Sequence, residues 1–447
     1  MIRSLAALLV CALVIVARPA AAAAPVERVV SPGGIEAWLV PDSSVPVISL
    51  HFSFRDAGAA GDPQGKEGLA RFATSLLDES GDDLDNAAFQ RRREDLAIQL
   101  GFNAGLDDAG GSLRTRSETR DAAFDLLRKA LTKPRFDARD VERVQRDLVA
   151  SLNRDSEEPR SIASRTWMRM SFPGHPYARS DRGSIPGIEA IGIADLKGWA
   201  ATRLARDSLV IGVSGDIAAA ELGPLLDRTF GPLPAKSDKP VIADVTPGAG
   251  GQLVLVQKRI PQSVVVVAQP GIARENPDFY AGYILNYILG GGGFTSLLME
   301  EVREQRGLAY GISTQLVTYR HAPLLWGSTA TRNQETGQTI DLMRSIWQRF
   351  AQGTVTDEQL KDAKTYLTGS FPLQLDSTAN VANVLVAMQL DHLGIDYLER
   401  RSSLIGAVTL DQVNRVARTL IDPAKLATVV VGEPAGVKPT MPAPGGF

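Results

Sequence analysis

The chain has 447 residues, of which 44% are hydrophobic and 22% charged, with a formal net charge of -3. That length exceeds what one hydrophobic core holds, so at least two domains are expected. The mild negative balance argues against nucleic acid as a partner.

The start, "MIRSLAALLVCALVIVARPAAAAAPV", has Arg3, an apolar run from Leu5 to Ala17 and then small residues. This is the pattern of a secretory signal, and a cut after Ala23 satisfies the small-x-small rule. The run is too short for a membrane anchor. Removal of the segment takes Arg3 and Arg18 with it, moving the formal charge from -3 to about -5. Cys11 is the single cysteine and leaves too, so no disulfide or thiol chemistry is expected in the mature chain. No later stretch is long and apolar enough for a membrane span, and the mature protein is expected in the periplasm or outside the cell.

Further along, "VPVISLHFSF" (45–54) alternates as a strand does. "GLARFATSLLDESG" (68–81) reads as a helix entered through Gly68, with Leu69, Phe72, Leu76 and Leu77 on an apolar stripe and Arg71 and Ser75 opposite. "DARDVERVQRDLVASL" (137–152) is a second amphipathic helix. "IGIADLKGWAATRLARDSLVIGVSGDI" (191–217) is a capped helix, a turn and an apolar strand ending in Gly215-Asp216.

The same series then recurs. "QSVVVVAQPG" (262–271) opens a second unit, "TDEQLKDAKTYLTGSF" (356–371) supplies its amphipathic helix, and "AVTLDQVNRVARTLIDPAKLATVVVGEP" closes it at Gly432-Glu433, about 217 residues after Gly215. Between the units, "GPLPAKSDKPVIADVTPGAGG" (231–251) is rich in proline and glycine, as a linker is. The fold class that follows is α+β: two homologous domains, 27–232 and 251–437, joined by 233–250, each a mainly antiparallel sheet covered by helices on one face. The tail "KPTMPAPGGF" (438–447) is expected to be disordered.

Chemistry is sparse. His51, His175, His321 and His392 are the four histidines, and no two are spaced to share one helix face as a zinc pair does. Ordinary polar roles are expected for His51 in its strand and His175 in a Gly-His-Pro turn. There is no G-x-S-x-G elbow and no Walker loop. "YILGGGGFTSLLMEEVREQRGLAYGIS" (287–313) is more informative. Gly290, Gly291, Gly292 and Gly293 free the backbone for close approach to another chain, and a helix from about Phe294 stops at Gly307 before a strand. Taken alone, Arg303 reads as a surface residue paired with a nearby Glu, Tyr310 as a partly buried aromatic and the glycines as a turn.

Together these stretches resemble the pitrilysin and insulinase family of inverzincin metallopeptidases, in the branch of the mitochondrial processing peptidase and its bacterial relatives. The likeness covers almost the whole mature chain. It rests on "GDPQGKEGLARFATSLLDES", on "GGGGFTSLLMEEVREQRGLAYGIS" and on the duplicated unit with its "VVVGE"-like ends. The resemblance implies two domains arranged as a half shell, closing with another half around an extended peptide. Active members carry H-x-x-E-H after "G-L-A", two His for Zn²⁺ and a Glu as base. Here those positions read Arg71, Thr74 and Ser75, none of which can replace imidazole or carboxylate in that role. The helix "ERVQRDLVASLNRD" that would give the third ligand still holds Glu142 and Asp147. No metal or other cofactor is therefore expected in this chain, and Arg71 is expected to form an ion pair in the vacated site.

The family's second-domain pattern R-x-x-x-x-G-L-x-Y is matched by Arg303, Gly307, Leu308 and Tyr310. In the family that Arg grips the substrate backbone and the Tyr hydroxyl stabilises the oxyanion. Leu297 departs from relatives that have Arg after the Ser. The resemblance thus implies a non-zinc subunit of a secreted heterodimeric peptidase. It would lend Arg303, Tyr310, the glycine run and Phe294 to a zinc-bearing homologous partner that cleaves short or unfolded peptides. A catalytically inactive pseudopeptidase that binds peptides or scaffolds an assembly is the alternative, and an independent zinc peptidase a third reading.

Overall fold

The computed structural model describes residues 25–445; the segment expected to be a secretory signal, with Cys11, lies outside them. Strands β1 (Glu27–Val30), β2 (Glu36–Pro41), β3 (Val47–Phe54), β4 (Gln99–Ala104), β5 (Ala109–Arg116) and β6 (Leu209–Gly215) form one sheet in the order β1-β2-β6-β3-β5-β4. Strands β7 (Leu253–Gln257), β8 (Gln262–Pro270), β9 (Ala309–Val317), β10 (Leu324–Arg332) and β11 (Ala427–Gly432) form a second in the order β7-β11-β8-β10-β9. Leaving out β1, the two orders are the same, and each sheet has a single parallel pair, β2 with β6 and β7 with β11. The duplication seen in the sequence is a duplication of topology. Both closing strands end on a glycine with positive φ, +134° at Gly215 and +153° at Gly432.

The first half adds helices α1 (Leu69–Thr74), α2 (Asn86–Asp95), α3 (Arg120–Thr132), α4 (Ala138–Glu157), α5 (Pro159–Ser171), α6 (Ile185–Ala190), α7 (Ile193–Arg203) and α8 (Ala219–Phe230). The second adds α9 (Phe279–Asn286), α10 (Thr336–Phe350), α11 (Asp357–Gly369), α12 (Thr378–Leu390), α13 (Tyr397–Gly406) and α14 (Leu410–Leu420). Most of these cover one face of their own sheet. Leu50, Phe52 and Phe54 of β3 meet α1, α3 and α8 in one core, and Val265, Val267 and Val430 meet α10 and α14 in the other.

The opposite face of each sheet is not open, and the one-face expectation for the helices needs correction. Helix α12 of the second half lies across β6 and β3 of the first, and α5 of the first lies across β11 and β8 of the second. The strand periodicity explains why this is favourable. In β8 the alternate residues Val264, Val266 and Ala268 face Trp167 and Ile162 of α5, so the unbroken valine run is buried on both sides. Trp167 also donates its indole N–H to the Ala427 carbonyl at 3.2 Å. On the other side Gly212 lets α12 close onto β6, because a Cβ there would stand 2.3 Å from the Ala382 carbonyl oxygen. Gln389 of α12 then donates to the Ile211 carbonyl at 2.8 Å.

Two further expectations need correction. The helix read over 68–81 is regular only over Leu69–Thr74. Beyond it the chain tightens into three-residue turns, with Leu76, Leu77 and Glu79 amides bonded to Ala73, Thr74 and Leu76 carbonyls. The apolar stripe is nevertheless buried as expected. Nor is the described part of the tail without partners: the Thr440 amide donates to the Leu253 carbonyl at 2.8 Å, its hydroxyl accepts from the Leu253 amide at 2.7 Å and meets Gln252 at 2.8 Å, and Met441 and Ala443 pack beside the α5 core. Composition signalled disorder, but the open edge of β7 supplied partners.

Because α5 serves the sheet of the other half, Trp167→Ala is expected to cost about 3–5 kcal/mol. Its loss of amide-exchange protection should appear in β8 and β11 as much as in α5. Protection lost only within residues 27–230 would contradict the exchange of helices.

Candidate functional site

Gly68 enters α1 in the left-handed region at φ +104°, a conformation that only glycine takes without strain. The carboxylate of Asp62 caps the helix start, accepting from the Gly68 amide at 2.8 Å and the Ala70 amide at 3.0 Å. Burial pushes the Asp62 carboxyl up from 3.8 to about 6, against the opposing pull of those amides and of Arg179. The "GDPQGKEGLA" stretch is thus a turn and cap that aims α1.

The side chains that α1 presents do not fit zinc. Thr74 is buried and its hydroxyl bonds the Ala70 and Arg71 carbonyls at 2.9 and 3.0 Å, so it cannot turn outward as a base. Among the described residues Arg71 has no ion-pair partner within 4.0 Å, contrary to the expectation; it donates to the Arg182 carbonyl and the Ser151 hydroxyl, both at 3.4 Å. The nearby Asp155 is already taken by Arg182, at 2.7 and 2.9 Å. Burial and the Arg182 charge lower the Arg71 pKa, while Asp155 and Asp181 offset part of that cost. From α4 the residue facing Arg71 is Ser151, not Glu142, which is exposed, or Asp147, which pairs with Arg143 at 3.5 Å. Guanidinium and hydroxyl groups do not fit zinc, which takes imidazole, thiolate or carboxylate.

The second half gathers the other candidates. Gly290 is packed against Thr314 of β9, where a Cβ would sit 2.6 Å from its hydroxyl, and Gly291 and Gly292 press on Asn286 and Tyr287. The run was expected to free backbone for another chain. Its close approaches are instead within its own chain, and only Gly293, at φ +58°, faces open space. A short turn, Gly293–Thr295, carries Phe294 outward, and a wide-turn π segment, Met299–Glu304, carries Arg303. Such segments recur at functional sites because the wide turn re-aims side chains. Gly307 at φ +62° ends the segment, and β9 begins at once with Tyr310 on its exposed face.

Phe294, Arg303 and Tyr310 meet. The Arg303 guanidinium lies 4.4 Å from the Phe294 ring centre and 5.3 Å from that of Tyr310. Stacking on ring faces stabilises a cation by about 0.5–1 kcal/mol each at exposed sites and leaves the in-plane N–H donors available. Among the described residues no carboxylate lies within ion-pair distance of Arg303. Glu301 pairs with Arg349 at 2.5 Å, and Glu300 accepts from Gln305 at 3.0 Å. Tyr310 is 89% exposed, so neither plain reading, a Glu-paired arginine or a part-buried tyrosine, describes the pair.

The histidines stay structural or apart. His175 accepts the Tyr177 amide at 3.1 Å and meets the Ala243 carbonyl at 2.9 Å, while burial lowers the pKa of His51. No group of three or more His, Cys, Asp or Glu side chains is gathered for a metal among the described residues.

Known proteins share this fold. Residues 190–367 match the peptidase M16 inactive domain. The whole chain is similar to the crystal structure of a peptidase M16 inactive domain from Pseudomonas fluorescens, at 28% identity and a TM-score of 0.85, over 93% of this chain and 100% of that one. Over residues 190–367 the chain carries the peptidase M16 inactive domain, and beyond them it resembles that family in fold. It is also similar to the non-peptidase homolog YmxG of Helicobacter pylori, 25% identical over 83% of this chain and 85% of that protein. A probable mitochondrial-processing peptidase subunit beta of Schizosaccharomyces pombe is 23% identical over 86% of each. Among the described residues no helix is long and apolar enough to cross a membrane.

Asp62 gives the chain a pH signature. Its folded carboxyl holds a proton more tightly than the unfolded one, so the stability it contributes is full below about pH 4 and is lost as pH rises through about 6. The shift corresponds to about 3 kcal/mol. Unfolding midpoints measured from pH ~4 to ~7 are expected to fall less steeply in Asp62→Asn than in the wild type; parallel slopes would refute the assignment.

Proposed function

We propose that the chain is the non-zinc subunit of a heterodimeric M16 peptidase of the periplasm or exterior, completing the active site of a zinc-bearing homologous partner. The supporting observation is the Arg303 clasp: a guanidinium stacked between two exposed rings, with no carboxylate to neutralise it, beside a tyrosine hydroxyl turned to solvent. Arg303 donates to a peptide carbonyl, the Tyr310 hydroxyl donates to the oxygen that gains charge as that carbonyl is attacked, and Phe294 and the turn after Gly293 line the peptide's path. The metal and the general base belong to the partner, since Arg71, Thr74 and Ser75 supply neither. Short or unfolded peptides are the substrate class, because an extended backbone is what such donors read.

The test is co-purification with a zinc-bearing M16 relative and assay on an unfolded peptide. Arg303→Ala and Tyr310→Phe are each expected to lower kcat/KM of the pair by about 10²–10³ while leaving the melting temperature of this chain unchanged. Full activity of both variants, or a pair no faster than the zinc subunit alone, would leave the peptide-binding scaffold reading in its place.

A further inference from the structure

Beside the altered motif helix lies a cleft of two lobes. One, of about 300 Å³, is walled by Met168 of α5, Val317 and Tyr319 of the second half and Trp326 of β10, with Arg165 and Arg179 at its polar end. The other, of about 230 Å³, is lined by Arg160, Arg165, Arg182 and Asp155. Ser164, Arg165, Ser180 and Asp181 line both, so the lobes adjoin.

The charge of the cleft is lopsided. Asp155 is neutralised by two contacts from Arg182, and Asp181, exposed at the junction, is the other carboxylate of the lining. Against them stand Arg160, Arg165, Arg179 and Arg182, with Arg71 behind the Arg182 carbonyl. Arg165 donates to neutral carbonyls only, Asp155 at 2.9 Å and Ser161 at 3.3 Å, and Arg179 to those of Asp62 and Ala60 at 2.8 and 2.9 Å. The Arg179 Nε is buried with no partner among the described residues. Guanidinia held in place by carbonyls keep their charge available, and a half-buried site strengthens its attraction for an anion.

We propose that this cleft binds a carboxylate carried on an apolar group, the carboxylate at the Arg160–Arg165–Arg182 end and the apolar part against Met168, Val317 and Trp326. Two sources have that chemistry: the C-terminus of a peptide ending in an apolar residue, and a medium-chain fatty acid. Only the peptide source draws on the proposed function, and binding is measured on this chain alone, so failure of the paired peptidase assay leaves the cleft proposal standing.

The experiment is calorimetric and tryptophan-fluorescence titration of the isolated full chain with an acetylated peptide ending in leucine, its C-terminal amide, and decanoate. Binding of the free-acid peptide with the amide about tenfold weaker or worse identifies the peptide source; binding of decanoate alone identifies the fatty acid, and either supports the site. Arg160→Gln, at an exposed position, and Ser164→Trp, which fills the junction, are each expected to reduce acid binding severalfold. Melting curves confirm that each variant is folded. No binding of either acid, equal binding of peptide acid and amide without decanoate binding, or unchanged affinity in both folded variants would overturn the proposal.

Discussion

Each sheet in this protein is sealed on its second face by a helix from the other half, and that reciprocal exchange is the constraint from which the rest follows. A sheet with valines on both faces leaves a large apolar area in water unless something covers it, at about 25 cal/mol for every Å² exposed. Helices α5 and α12 do the covering, and Gly212 and the β8 valines are shaped to receive them. The halves therefore cannot drift independently. The tip of the β9–β10 hairpin reinforces this: Arg320 pairs with Asp56 and Asp108 of the first half, and its amide donates to Asp107 at 3.0 Å.

A rigid pair of halves makes it meaningful that the two motif regions have diverged in opposite ways. On α1 the buried side is intact: Leu69, Ala70, Phe72 and Ala73 pack as a helix of the core must. Its polar side presents a guanidinium bonded to a carbonyl and a hydroxyl, where the family resemblance implies metal ligands. At the second site the half-buried Arg303 lies over the Tyr310 ring, and Tyr310 stays in solvent. Packing and chemistry occupy different faces of the same short elements, so one can change while the other persists.

Much of this was legible in residues. The alternation of β3, the duplicated strand ends at Gly215 and Gly432, and the breaks at Gly68 and Gly307 each encode a local conformation, and each appears in the structure. What was not legible depended on distant partners. The valine run of β8 reveals burial on both faces but does not name α5 as the cover. Ser151 carries no ligand signature of its own, unlike the acids of the same helix. Its spacing of three from Leu148 put it beside the buried stripe of α4, whereas Glu142 and Asp147 fall on the solvent side. The tail and the turns after Thr74 departed from expectation because backbone pairing with Leu253 and three-residue closures leave little trace in composition. The Phe294 contribution to the Arg303 clasp needed the wide-turn helix to become visible as a contact.

The segment 231–252 has no helix or strand, yet it is fastened along its length: the amides of Asp238, Val245 and Gly248 donate to the carbonyls of Thr202, His321 and Ser171. Lys239 adds an ion pair to Asp56 at 2.5 Å. A peptidase chamber that accepts extended chain needs that chain's backbone groups free and its ends slack. A connector already bonded to both halves offers neither, so this long irregular stretch is held as structure and not presented as an extended peptide would be.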